Sequence, residues 1–260
     1  MLGDVAVIIP HYNNGIDLCR SYASVMSQSQ LPQEIVIIDD CSYDKSFLEK
    51  IEKEHDNRTG IKLTVIKFES NKGPSEARNT GVKVSSTNYI AFLDADDVWH
   101  PQKLEICLDV ITKRNLMFLY HLYTPIGIES DIDRIYIKQD VLVKSKKHIL
   151  FAFKSYIATP TVLMHKSIFE EFPLDLNQCE DYHCWLSSVT DSDFYFVSLP
   201  LANGFKSPLG DSGLSANIKI MHESFLKSIY SLRSKKKISN TFFVLAYLME
   251  NLKFPLRFIR

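Results

Sequence analysis

Four short runs of β-branched and aromatic residues punctuate the first hundred positions: Val5–Pro10 (VAVIIP), Glu34–Asp40 (EIVIIDD), Ile61–Phe68 and Tyr89–Asp94 (YIAFLD). Runs so continuously apolar are strands buried on both faces, as in a parallel sheet. Helical periodicity fills the intervals, over Ile16–Ser27, Ser46–His55 and Pro74–Ser85. The turn Asn71-Lys72-Gly73 leads into Pro74, a residue suited to a helix's first position. Strand and helix in alternation predict a right-handed α/β sheet. Ligands of such sheets sit beyond the carboxyl ends of the strands. Three of the four runs end there in chemically capable residues: Pro10-His11-Tyr12-Asn13, Asp39-Asp40 and Asp94-Ala95-Asp96-Asp97.

The second half is less regular. A helix is expected over Pro101–Arg114, with strands over Phe118–Tyr123, Arg134–Lys138, Pro160–His165 and Phe194–Leu199. Phe169–Asn177 reads as a loop into a helix over Glu180–Val189. Ala202–Asn217 (ANGFKSPLGDSGLSAN) reads as a mobile loop. Two amphipathic helices follow, Ile218–Leu232 and Ser239–Leu256. This organisation predicts a main domain over residues 1–217, regular over residues 1–100 and less regular over residues 101–217. Residues 218–260 form a basic helical extension.

Charge divides the chain at the same place. The overall balance is -1 across 260 residues. Residues 1–218 hold 21 basic and 29 acidic side chains, whereas residues 219–260 hold nine basic and two acidic ones. An acidic body argues against nucleic acid as a partner, and a basic tail suits something anionic. Two readings of the tail stand side by side. Its apolar stripes pack on the catalytic domain or on a second subunit, or its phenylalanines (Phe242, Phe243, Phe254, Phe258) enter a membrane interface beneath basic residues. Five scattered cysteines without a CxxC pair suit free thiols in a reducing compartment. The first residues lack a basic stretch ahead of Pro10, unlike a secretory signal. The longest apolar run, Phe242–Met249, falls short of the roughly 20 residues needed to span a bilayer. A chain that is cytoplasmic or peripheral to a membrane is therefore expected.

Three carboxylates within four residues, Asp94, Asp96 and Asp97, repel one another unless a cation sits among them. Hard oxygen donors suit Mg²⁺ or Mn²⁺ completed by substrate phosphates, or else the acidic turn simply caps the next helix. One carboxylate of Asp39-Asp40 suits a base N–H or ribose hydroxyl, while Asp44 or Ser42 suits a helix cap. Arg78, near a helix amino end, is an ion-pair partner or a phosphate ligand. Glu180-Asp181 opens a helix, where it either complements the dipole or supplies a general base. Trp185 is core or a platform for a sugar ring.

In order along the chain, VAVIIPHYNN, EIVIIDDCSYD, NKGPSEARNTGV, YIAFLDADDVWHPQKL and CEDYHCW resemble the family 2 glycosyltransferases of the GT-A fold. GDSGLSAN resembles the loop that often follows. The resemblance runs from Val5 to about Trp185 and leaves the last 40 residues uncovered. It implies a Rossmann-like, mostly parallel nucleotide-binding sheet flanked by helices, in a catalytic domain over residues 1–217 with a nucleotide-sugar half over about 1–100 and an acceptor half over about 101–217. It implies an inverting hexosyl or N-acetylhexosaminyl transfer from a UDP-sugar to a glycan or lipid-linked acceptor. By the same resemblance Pro10 and Tyr12 line the base pocket, Asp40 accepts from the base, and Arg78 lies near ribose and diphosphate. Asp94 faces ribose or metal, and Asp96 binds the metal, Mn²⁺ or Mg²⁺. Asp181 is the base, Glu180 assists the acceptor, and Lys206 reaches the diphosphate. His11 is structural. Two rivals are a sugar nucleotidyltransferase, whose glycine- and arginine-rich phosphate loop HYNNGIDLCR does not supply, and a non-catalytic nucleotide-sugar-binding scaffold. A homodimer fits either way.

Overall fold

The computed structural model describes residues 2–55, 59–125, 141–155, 157–176, 178–190, 194–204 and 217–258. Four parallel strands form one half of the sheet: β1 (Gly3–His11), β2 (Pro32–Asp39), β3 (Lys62–Lys67) and β4 (Tyr89–Phe92). Helices α1 (Gly15–Met26), α2 (Ser46–Glu54) and α3 (Gly73–Val84) connect them. The other half is mixed, with β5 (Asp97–Trp99), β6 (Phe118–Thr124), β7 (Val143–Lys146), β8 (Leu163–His165) and β9 (Phe194–Gly204). The order across the nine strands is β3-β2-β1-β4-β8-β6-β9-β5, with β7 also on β9. β8 runs against β4 and β6, and β5 and β7 run against β9, so the other six strands share one direction.

Alternation along the strands splits the core into two layers. Val5, Val7, Ile9, Ile35 and Ile37 face α1, α2 and α4 (Lys103–Lys113). Ala6, Ile8, Val36 and Ile38 face α3, α5 (Glu180–Ser188), α6 (Ile218–Ser234) and α7 (Asn240–Leu256). All of these strand residues are buried, which explains runs with no polar alternation. The C-terminal helices are docked on the sheet: Ile229, Leu232, Phe242, Phe243 and Ala246 lie in the same apolar cluster as Phe92, Phe118 and Trp185. Two of the phenylalanines expected at a membrane, Phe242 and Phe243, are therefore core residues, 1% and 7% exposed.

Most expected elements form within one to three residues of their predicted bounds. β8 is shorter than expected because Thr159–Thr161 make a 3₁₀ turn. Ala202–Gly204, expected to be loop, extend β9, where they pair with Asp97–Trp99. The strand expected over Arg134–Lys138 lies outside the described residues. Among the described residues no helix is long and apolar enough to cross a membrane. All five cysteines are free thiols.

Candidate active site

Strand register sets the site's geometry. His11 pairs with Asp39 and Ile8 with Phe92, so the carboxyl ends of β2, β1 and β4 lie side by side. The segments leaving those ends carry Asp40, Tyr12 and Asp94. The first two are stitched together: the Asn13 N–H donates to Ser42 Oγ (2.9 Å), and Asn13 Oδ1 accepts from the Tyr43 N–H (2.9 Å). Asn13 takes a left-handed conformation (φ 58°), which asparagine tolerates better than most residues. Tyr12, 47% exposed, stands open beside this stitch.

Asp40 does a job the sequence reading did not give it. Its Oδ1 accepts from the Lys72 N–H (2.6 Å) and its Oδ2 from the Gly73 N–H (2.8 Å), capping α3 from the neighbouring loop. An ionised carboxylate offers about four acceptor sites, so capacity for a base donor is left. Asp44 accepts from the Ser46 N–H (2.9 Å) at the start of α2, although the cap position itself is Lys45, which makes no side-chain cap. Asp39 is fully buried, with Oδ1 on the Ser42 N–H (3.3 Å) and Oδ2 unpartnered among the described residues. His11 is buried too; burial lowers its pKa while the charge of Asp39 raises it.

Arg78 joins two acidic motifs 86 positions apart. On α3 and only 6% exposed, it donates from Nη2 to Asp94 Oδ1 (2.6 Å), and its Nη1 lies 3.6 Å from Glu180 Oε1. Its guanidinium carbon stands 5.4 Å from the Phe172 ring centre. Burial works against the charge, yet Asp94, Glu180 and Asp181 together raise its pKa. Of the two roles expected for Arg78, the structure shows the ion-pair partner.

Glu180 and Asp181 open α5 immediately after Cys179, which is held in the left-handed region at φ 60°. Such a conformation costs a non-glycine residue on the order of 1–2 kcal/mol, and strain of this kind gathers at functional sites. The Tyr182 N–H donates to Asp181 Oδ1 (2.6 Å). Burial first, then the charges of Glu180 and Asp94, push Asp181 up to about 7, against the opposing pull of Arg78 and that N–H. Trp185 is core rather than platform: it is 1% exposed among Phe92, Phe118 and Phe172, with ring centres 5.3–5.8 Å away.

The acidic turn is held from behind. The Asp97 N–H donates to the Asp94 carbonyl (3.0 Å), and the Tyr123 hydroxyl donates to Asp97 Oδ1 (2.8 Å). Burial and the charges of Asp97, Asp96 and Asp94 raise the phenol's pKa. Gly204 pairs with Asp97 across β5 and β9, and a Cβ there would overlap the Tyr123 hydroxyl. Beneath the turn, the fully buried Lys103 holds Nζ 3.5 Å over the Trp99 ring, and burial pushes its pKa down to about 7. Sequence reasoning missed Tyr123, although it ends a strand that shares the direction of β1. The same rule that singled out the first three strand ends applies to it.

Among the described residues no three His, Cys, Asp or Glu side chains are grouped to hold a metal ion. The donor chemistry nonetheless fits one, since Mg²⁺ or Mn²⁺ needs only one or two carboxylates when substrate phosphates and water complete its shell. Asp94 keeps a side chain 25% exposed while paired to Arg78. Lys206 lies outside the described residues.

A mostly parallel α/β sheet with an acidic turn beyond β4 and an acidic pair at α5 has the layout of the GT-A class. Residues 6–172 match the model of glycosyl transferase family 2, and the chain belongs to that family; it is a glycosyltransferase. It is 30% identical over 216 residues to the UDP-Glc:alpha-D-GlcNAc-diphosphoundecaprenol beta-1,3-glucosyltransferase WfgD of Escherichia coli, covering 82% of this chain and 80% of WfgD. Among solved structures, S. aureus TarS 1-349 in complex with UDP-GlcNAc superposes with a TM-score of 0.67 at 19% identity, over 89% of this chain and 66% of that one. The mannosyltransferase PcManGT from Pyrobaculum calidifontis, in complex with GDP-Man and Mn²⁺, gives 0.67 at 15% identity, over 95% and 69%. These two structural likenesses establish the fold.

Proposed function

We propose that this chain transfers a sugar from a UDP-sugar to a hydroxyl of a lipid-linked or growing envelope glycan, with inversion at the anomeric carbon. One observation carries the reading: Arg78 bridges Asp94 of the acidic turn and Glu180 of the acidic pair, so donor-side and acceptor-side carboxylates meet in one cluster. The donor class is supported by WfgD, which is named for a UDP-Glc donor and a diphosphoundecaprenol-linked acceptor.

Tyr12, exposed at the end of β1, suits the face of a nucleobase, with Pro10 beside it and the remaining acceptor capacity of Asp40 for a base N–H. Asp94 and Asp96 would hold the divalent ion, Mn²⁺ or Mg²⁺. When bound, that ion neutralises charge on the departing diphosphate. Arg78 keeps Asp94 oriented and limits repulsion between the two acidic motifs. Asp181, with its pKa near neutrality, takes the proton of the acceptor hydroxyl. The hydroxyl oxygen then bonds to the anomeric carbon as the bond from that carbon to the diphosphate oxygen breaks, and UDP leaves with the electron pair. Glu180 lies beside Asp181 to orient the acceptor, and Lys206 is assigned to the diphosphate.

Asp181→Asn tests the reading. Expected is a fall in kcat of about 10²–10⁴-fold, the usual share of a general base, with UDP-sugar affinity by calorimetry unchanged. An unchanged kcat would move the base elsewhere, with Glu180 the first substitute.

A further inference from the structure

Helix α7 turns an uncharged face to solvent. Val244, Leu248, Leu252 and Leu256 recur every fourth residue and are 51%, 51%, 64% and 60% exposed; Tyr247 and Phe258 widen the strip. Over the roughly 25 Å that the seventeen residues of the helix span, no exposed position of α7 carries a charge. The helix's one acid, Glu250, is turned inward and 4% exposed. There it pairs bidentately with Arg257 (2.6 and 2.9 Å) and accepts from His222 Nδ1 at 3.0 Å. The face therefore shows no negative charge, while Arg233, Lys235 and Lys236 stand exposed at the turn into α7.

We propose that this outer face of α7 is the surface on which the protein lies against an anionic bilayer. A helix with one neutral apolar face, bordered by basic residues, sits in the plane of a membrane interface. Each basic side chain near an anionic surface adds about 1 kcal/mol of attraction. The face also adjoins the catalytic end of the sheet. A cavity of about 600 Å³ has Leu256, Phe225 and Phe153 in its wall together with Cys179, the residue before Glu180-Asp181. The inference takes from the proposed function only that the acceptor is borne on lipid, and its readout needs no catalysis.

The test is co-sedimentation of the full chain with vesicles of phosphatidylcholine alone or mixed with phosphatidylglycerol. Binding is expected only to the anionic vesicles, weakening as salt rises. Leu248→Ser with Leu252→Ser removes apolar area without altering charge, and should lower partitioning about tenfold or more while the melting temperature holds. Lys235→Gln with Lys236→Gln should weaken binding at low salt and flatten its salt dependence. Three results overturn the proposal: failure of the full chain to bind anionic vesicles, undiminished binding by the double serine variant, or a solution dimer that this variant dissolves. The last would give the face to a second copy. Loss of transfer in Asp181→Asn with vesicle binding intact separates a failure here from a failure of the catalytic assignment.

Discussion

In its proposed role as general base, Asp181 ties stability to catalysis. Its pKa is raised from the ordinary carboxylate range to about 7, so the folded protein holds the proton more tightly than the unfolded chain. Between pH 4 and 7 the unfolded state has lost that proton and the folded state has not, so stability contributed by this group falls as pH rises through the window. Activity moves the other way, because only the carboxylate accepts a proton. The kcat profile should rise with pH to a plateau above about 7. Asp181→Asn should abolish that limb and raise the melting temperature at pH 7 by about 2–4 °C, as removal of roughly 1 kcal/mol of unfavourable charge would in a chain of this size. A lower melting temperature in the variant would mean that the carboxylate is stabilised. Tyr123 makes a second residue-scale case. Tyr123→Phe should cost about 0.5–1.5 kcal/mol in urea unfolding and weaken UDP binding measured with Mn²⁺ present, because Asp97 loses the Tyr123 hydroxyl. Gly204→Ala should weaken that binding further by displacing the same hydroxyl. Binding unaltered in both variants would separate Tyr123 from the acidic turn. The Tyr123 contacts were not legible in the sequence, where Tyr123, Asp97 and Gly204 are far apart and are brought together by the antiparallel pairing of β5 with β9 and the parallel pairing of β6 with β9.

Helix α3 carries the argument at the scale of the element. Its start was readable locally, from a turn followed by Pro74, and Gly73 supplies the positive φ of 86° that the turn requires. What caps it was not readable, because Asp40 reaches Lys72 and Gly73 from across the sheet edge. Capping by a distant carboxylate obeys the same physics as a local cap: two amide hydrogens at the helix's positive end find an anion. Asp40→Ala should therefore destabilise the ligand-free protein by about 1–2 kcal/mol in urea unfolding, in addition to any loss of UDP affinity. If stability holds and only UDP binding falls, the carboxylate serves the ligand alone. The strand ends were legible for a related reason. A parallel sheet buries both faces of its strands, so the first polar residues after each apolar run mark the edge where ligands bind. Cys179 could not be foreseen, since nothing in NQCEDYH asks for a left-handed residue at that position. Ala202–Gly204 misled for the opposite reason: Gly204, which looks like loop, is small because the Tyr123 hydroxyl and Asp97 crowd it.

For the whole molecule, the final question is what the basic C-terminal helices do for the sheet. Read along the sequence, they stand apart by charge and lie outside the family resemblance, so their removal would be expected to spare donor binding. Packing argues otherwise. Phe242 is 1% exposed and Ala246 fully buried, and Phe242 meets His148 with ring centres 5.1 Å apart, beside the ring of Phe194. Leu232 and Ile229 fill the same layer against α5, which bears Glu180 and Asp181. Cutting after Ser234 would thus strip α7 from a continuous core and expose the layer supporting Glu180 and Asp181. Phe242→Ala, a milder change, should cost about 3–5 kcal/mol as a cavity opens. The loss should appear in one cooperative transition followed equally by far-UV circular dichroism and tryptophan fluorescence, because helix and sheet share one apolar cluster. The truncated chain should fail to fold or should melt far below the full one, and saturating UDP-sugar should recover only part of the difference. A truncated chain with an unchanged melting temperature, or a Phe242→Ala variant that loses one early transition and keeps the main one, would make the C-terminal helices an independent unit.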